Sequence, residues 1–163
     1  MKREVKIRIE SITYEVEASL FGMDEADVME LDESDIQAEI EPDKIEIKTF
    51  GVFSIDGDRA EISYEESEAT GMEGSITSLS FDMREVGLVT MARTGIVSTV
   101  LVFERGKRHH CIYQTPYMPF EICVNTLDVR NRIAEAGTLE LDYVIEIRGA
   151  KAERTKFMMK IMD

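Results

Sequence analysis

A chain of 163 residues, 44% of them hydrophobic, suits one domain spanning residues 1–163 with a single sizeable core. The formal charge of -14 favours solubility and repels phosphate backbones and anionic lipid surfaces, which argues against a nucleic-acid partner. No stretch approaches the roughly 18 apolar residues of a membrane helix, and the opening MKREVKIRIES lacks the continuous apolar run of a signal peptide, so a cytoplasmic protein without a membrane partner is expected.

The charge is uneven, net -16 over residues 1–91 and +2 over residues 92–163, so an anionic small ligand could still find the second half. Cys111 and Cys123 are too few for a disulfide scaffold or a four-cysteine zinc site, and reduced, partly buried thiols are expected.

Apolar and polar residues alternate with a period of two from one end of the chain to the other, the pattern of antiparallel sheet with one dry face. Val5, Ile7 and Ile9 alternate with Lys6, Arg8 and Glu10 in the first strand, near 4–10. The apolar phase then slips by one residue before a second stretch at 12–20, which predicts a bulge or bend. The acidic segment 23–43 reads equally as an amphipathic helix, a strand with a turn, or a loop.

Further strands are predicted near 45–55, 59–65, 75–82, 86–93, 96–104, 108–116, 120–127, 137–148 and 154–162. Asp56-Gly57-Asp58, Thr94-Gly95 and Arg105-Gly106-Lys107 supply hairpin turns between them. Residues 128–136 predict about two helical turns, with Asp128 as cap and Gly137 as stop. So many short-turned strands leave a sandwich or a closed barrel, and periodicity does not choose between them.

The segments SYEESEATGMEGS at 63–75, MARTG at 91–95, VFERGKRHHCIYQTPY at 102–117, then Thr126 and LDY at 141–143 resemble the YwiB-like family of bacterial proteins. The resemblance covers roughly residues 44–163 and rests on the ordered set of motifs. It implies an all-β fold: a single antiparallel, calycin-like (lipocalin-like) β-barrel of roughly 8–10 strands, in a cytoplasmic Gram-positive setting, with no activity attached. The family usually has Thr-Pro-Tyr-Gly at the hairpin after the histidine-rich strand, whereas position 118 here is Met, which implies a turn of different shape or some strain.

Phase along each strand selects the inward side chains. Arg93 keeps step with Val89 and Met91, so it ends an apolar stripe, where it meets solvent at a rim, pairs with a nearby carboxylate, or faces a ligand. A two-residue loop at Tyr117-Met118 would set Tyr113 opposite Ile122 and Cys111 opposite Val124, with the two cysteines on opposite faces. The dry face then gains Tyr113, Thr115 and Thr126, joined by Tyr64 and Tyr143.

Buried tyrosines are usually core residues with a satisfied hydroxyl, but a cavity lined by tyrosines, threonines and one arginine would suit a small anionic or amphipathic molecule. Arg93, Tyr113, Thr115, Tyr64, Tyr143 and Thr126 are therefore the candidate ligand contacts.

Other chemistry is weaker. His109 and His110 are adjacent on a strand, face opposite ways, and cannot jointly chelate a metal ion. Cys111 and His109 share a face, but two residues along a strand is about 7 Å, too far for a nucleophile and its base. Glu65, Glu66 and Glu68 read as wet surface, and the glycines at 71 and 74 lack the Lys-Ser/Thr ending of a phosphate-binding loop. No catalytic residue, metal or cofactor is expected. The leading expectation is a non-catalytic binding barrel. A protein-interaction module using the exterior, the 23–43 segment, the basic 105–110 hairpin or a homodimer interface is second, and an enzyme third.

Overall fold

The computed structural model of the protein describes residues 1–16, 43–70, 73–147 and 152–162. All of the acidic segment 23–43 except Asp43 lies outside them. The described residues form strands β1 (Lys2–Val16), β2 (Asp43–Asp56), β3 (Arg59–Glu65), β4 (Ile76–Asp82), β5 (Glu85–Thr94), β6 (Ser98–Glu104) and β7 (Arg108–Gln114). β8 (Pro119–Arg132), a short helix α1 (Ile133–Ala136), β9 (Thr138–Ile147) and β10 (Ala152–Ile161) follow. Each strand pairs with its neighbours in sequence, and β1 pairs with β10, so the ten strands close into an antiparallel barrel. Closure leaves no free sheet edge among the described strands.

β1 runs unbroken, in constant register with β2 from Lys2↔Ser54 to Thr13↔Asp43 and with β10 from Ile7↔Ile161 to Val16↔Ala152. The bulge predicted near residue 11 is absent. The apolar phase slips because the inward face itself changes character: Val5, Ile7 and Ile9 are buried in the core, whereas Ser11, Thr13 and Glu15, still facing inward, line an open cavity. Tyr14 faces outward and is nevertheless buried. A true bulge occurs in β8, where the register with β9 shifts between Thr126 and Asp128.

That bulge corrects the helix expected at 128–136. Residues 128–132 stay in β8 and pair with β9, because the extra residue at Leu127 brings Val129 opposite Leu141 and Asn131 opposite Leu139. Asp128 caps no helix. Its carboxylate accepts the Val129 N–H instead. Only Ile133–Ala136 turn as helix, stopped by Gly137 at φ 69, whose N–H donates to the Ile133 carbonyl. α1 sets Ile133 against the core and so covers one end of the barrel.

The β7–β8 hairpin keeps its predicted faces but not its predicted register. Cys111 lies opposite Ile122 and Tyr113 opposite Phe120, with Gln114↔Pro119 closing the ladder. The loop therefore has four residues, Thr115–Met118, rather than two. Thr115 organises it: its hydroxyl accepts the N–H groups of Tyr117 (3.3 Å) and Met118 (3.2 Å) and donates to the Met118 carbonyl (2.9 Å). The offset from the expected register is two residues, and a shift of two preserves faces. Cys111 is thus buried inward, Cys123 is outside, and both are free.

The end of the barrel near α1 is filled by the fully buried Ile7, Ile62, Leu79, Phe103, Leu139 and Met159, with Ala60 and Val89 between them. Gly51 belongs to the same packing. A Cβ there would lie 2.5 Å from the Ser63 carbonyl oxygen and against the Ile7 side chain. On the outside, Arg154 of β10 forks onto Asp142 of β9 with bonds of 3.0 and 2.8 Å, tying the two strands together. Among the described residues, no helix is long and apolar enough to cross a membrane.

Two outcomes follow from this packing. Gly51→Ala should destabilise the barrel by about 1–3 kcal/mol in urea unfolding, because the obstructing Ser63 oxygen belongs to backbone and has little freedom to move. Burial pushes both cysteine thiols above their ordinary range, so less thiolate is present at neutral pH. Both should react slowly with iodoacetamide in the folded protein and promptly in urea, and mass analysis under non-reducing conditions should find no Cys111–Cys123 bond.

Candidate functional site

The opposite end of the barrel is hollow. A cavity of about 720 Å³ opens where β1, β3, β7 and β9 finish and β2, β8 and β10 begin. Its walls are largely apolar side chains from the inward phase of each strand, among them Ile9, Ile47, Leu101, Ile122, Ile145 and Phe157. Tyr143 marks the boundary with the solid core, its ring packed on Phe103 at a centroid distance of 4.6 Å. On the β1–β10 side the wall is hydroxylic, with the Thr13 and Thr155 oxygens 3.1 Å apart.

Four of the six residues singled out from sequence line this cavity: Tyr64, Arg93, Tyr113 and Tyr143. Thr115 does not, since its hydroxyl is engaged in the β7–β8 loop. Thr126 pairs with Tyr143 in the ladder and is fully buried, outside the cavity lining, with its hydroxyl unpartnered among the described residues.

Arg93 is not a free cation. Its Nε donates to the Thr77 hydroxyl at 3.1 Å, and its Nη2 lies 3.4 Å from Glu66 Oε1. Thr77 in turn donates to the same Glu66 oxygen at 2.7 Å. The Glu66 side chain is 2% exposed and that of Arg93 15%, so the pair is held largely out of water. The Tyr64 hydroxyl shares this corner: burial above all, then the Glu66 charge, raises its pKa, while Arg93 opposes the rise. Burial also raises the pKa of Tyr143.

Glu66 corrects the expectation of a wet acidic surface. Ala60, Ile62 and Tyr64 face inward, and the same period of two reaches Glu66. Its N–H continues the β3–β4 ladder by donating to the Ser75 carbonyl at 2.7 Å. Thr77 is likewise in step with Leu79 and Phe81, both buried. Phase was thus the signal for both residues, masked by the run of acids around Glu66.

The lures of the β6–β7 region lie beside carboxylates. His109 lies 3.4 Å from Glu104 and His110 3.1 Å from Glu121. Arg105 and Arg108 lie 3.7 and 3.6 Å from Asp128 and Glu146, so the basic hairpin carries its own counter-charges. The Cys111 sulfur meets the His109 carbonyl at 3.9 Å. No group of three or more metal-ligating side chains is present among the described residues.

The buried pair has a measurable signature. Glu66→Gln or Arg93→Met alone strands a buried charge and should cost about 3 kcal/mol in urea unfolding. The double substitution should cost clearly less than the sum of the two, because it strands neither charge. Strict additivity would show that the two side chains are not coupled.

A search of curated proteins finds no match. Among solved structures, the chain is similar to one described as the crystal structure of ywiB protein from Bacillus subtilis, with a TM-score of 0.65 and 14% identity, covering 98% of this chain and 94% of that one. At that identity the likeness speaks to the barrel fold. A family model described as a domain of unknown function, DUF1934, matches residues 30–159. The chain belongs to this family, the domain of unknown function DUF1934.

Proposed function

We propose that this protein is a non-catalytic binding barrel that takes one amphipathic small molecule into the open half of its interior. The observation that carries this reading is the cavity of about 720 Å³, open at one end and walled by apolar side chains with a few polar groups. Cavities of this size and lining suit small ligands. The packed half of the barrel forms the floor of this cavity. Arg93, Tyr64, Tyr113 and Tyr143 line this cavity and are the proposed contacts.

An anionic ligand, one of the two classes considered from sequence, finds less support. Among the described lining residues Arg93 is the sole cation, and its guanidinium is already engaged by Glu66 and Thr77. The amphipathic alternative fits the walls better.

A second reading, a protein-interaction module, draws on the exterior. Ile76 of β4, Val100 of β6 and Ile112 of β7 are exposed on the outer face, with Ile96 and Tyr117 in nearby loops. A concentration-dependent dimer in analytical ultracentrifugation that is lost in Val100→Lys would favour it.

Native mass spectrometry of protein purified from its host tests the first reading. The expected result is a bound small molecule that is released on denaturation. Filling the cavity with Ile145→Trp should abolish that adduct while circular dichroism stays unchanged. Retention of the same adduct by a folded Ile145→Trp protein, or bare protein throughout, would overturn it.

A further inference from the structure

We infer that the cavity selects a cationic head group, a protonated amine on an apolar tail, and that Glu66 is its acceptor. This rests on the reading of the cavity as a binding site. The Glu66 carboxylate has two oxygens in different circumstances. Oε1 is bonded by the Thr77 hydroxyl and faces the Arg93 guanidinium, whereas Oε2 is buried with no hydrogen-bond partner among the described residues. A buried carboxylate oxygen lacking a donor is a costly arrangement, and it lies on a residue that lines the cavity. A ligand that supplies a charged donor relieves that cost.

The rest of the lining agrees in sign. Glu15, Asp43 and Glu153 come from the cavity-side ends of β1, β2 and β10, and among the described lining residues Arg93 alone opposes these carboxylates. Glu66 and Arg93 offset one another, and carboxylates stay in excess among the described lining residues. A low-dielectric cleft with an acidic rim concentrates cations and turns anions away. Farther in, Ile9, Ile47, Leu101, Ile122 and Ile145 offer an apolar bed for the tail. The Thr13 and Thr155 hydroxyls on the β1–β10 wall add further acceptors to the same lining.

The test compares three probes of equal tail length, decylammonium, decanol and decyl sulfate, each below its micellar concentration, by isothermal titration calorimetry. A charge-assisted bond should give decylammonium an advantage of about ten-fold or more over decanol, with decyl sulfate weakest. Glu66→Gln should bring decylammonium down to the affinity of decanol and leave decanol unchanged. Asp43→Asn with Glu153→Gln, at exposed positions that leave the buried pair intact, should reduce the decylammonium advantage several-fold and weaken its salt dependence. Equal binding of the three probes, or tighter binding of decyl sulfate, would overturn the amine assignment while leaving the cavity reading standing. Failure of all three to bind would remove the cavity reading and the amine assignment with it.

Discussion

Everything in this fold depends on the closure of β1 onto β10. β1 is fifteen residues long and carries a ladder on each side, so the first and last strands of the barrel share one set of backbone donors and acceptors. Without that pairing the sheet would present two long unpaired edges. With it, every inward side chain is enclosed by the same wall. The single constraint of closure thereby creates an interior that must be either filled or left hollow.

The barrel does both. Near α1 the inward positions hold Ile7, Ile62, Leu79, Phe103 and Leu139, large enough together to exclude water. At the other end the same phases hold Ser11, Thr13, Thr77 and Glu66, too short or too polar to meet across the axis as an apolar core would. Glu66, Arg93 and Thr77 form the most constrained polar group along this boundary. β4, β5 and the residue just past the end of β3 bring them together, and each is in step with an apolar stripe that ends where the cavity starts. A buried ion pair of this kind is weak as a source of stability, because desolvation offsets most of its attraction.

The exterior follows a different logic. Arg154 with Asp142, Arg105 with Asp128 and Arg108 with Glu146 show that many basic residues are matched to acids in cross-strand or loop positions. Among the described residues, part of the positive charge of the second half of the sequence thus carries its own counter-charges. Carboxylates remain in excess, and several of them line the cavity.

The sequence by itself determined the strand content, the inward set on most strands and the separation of the two cysteines, because a period of two is a local property that each strand carries alone. The same periodicity could have located Glu66 and Thr77, but an acid among acids reads as surface until the strand is extended by two residues. Closure into a barrel entered only through the family resemblance. Three features needed the tertiary structure. The β7–β8 loop length depends on hydrogen bonds made by Thr115 within the turn, which composition does not reveal. The fate of residues 128–132 turned on whether β9 was available as a partner, and a bulge at Leu127 outweighed a modest helix propensity. The division of the interior into core and cavity depends on how side chains from non-neighbouring strands meet across the axis, and no periodicity within one strand encodes that distance.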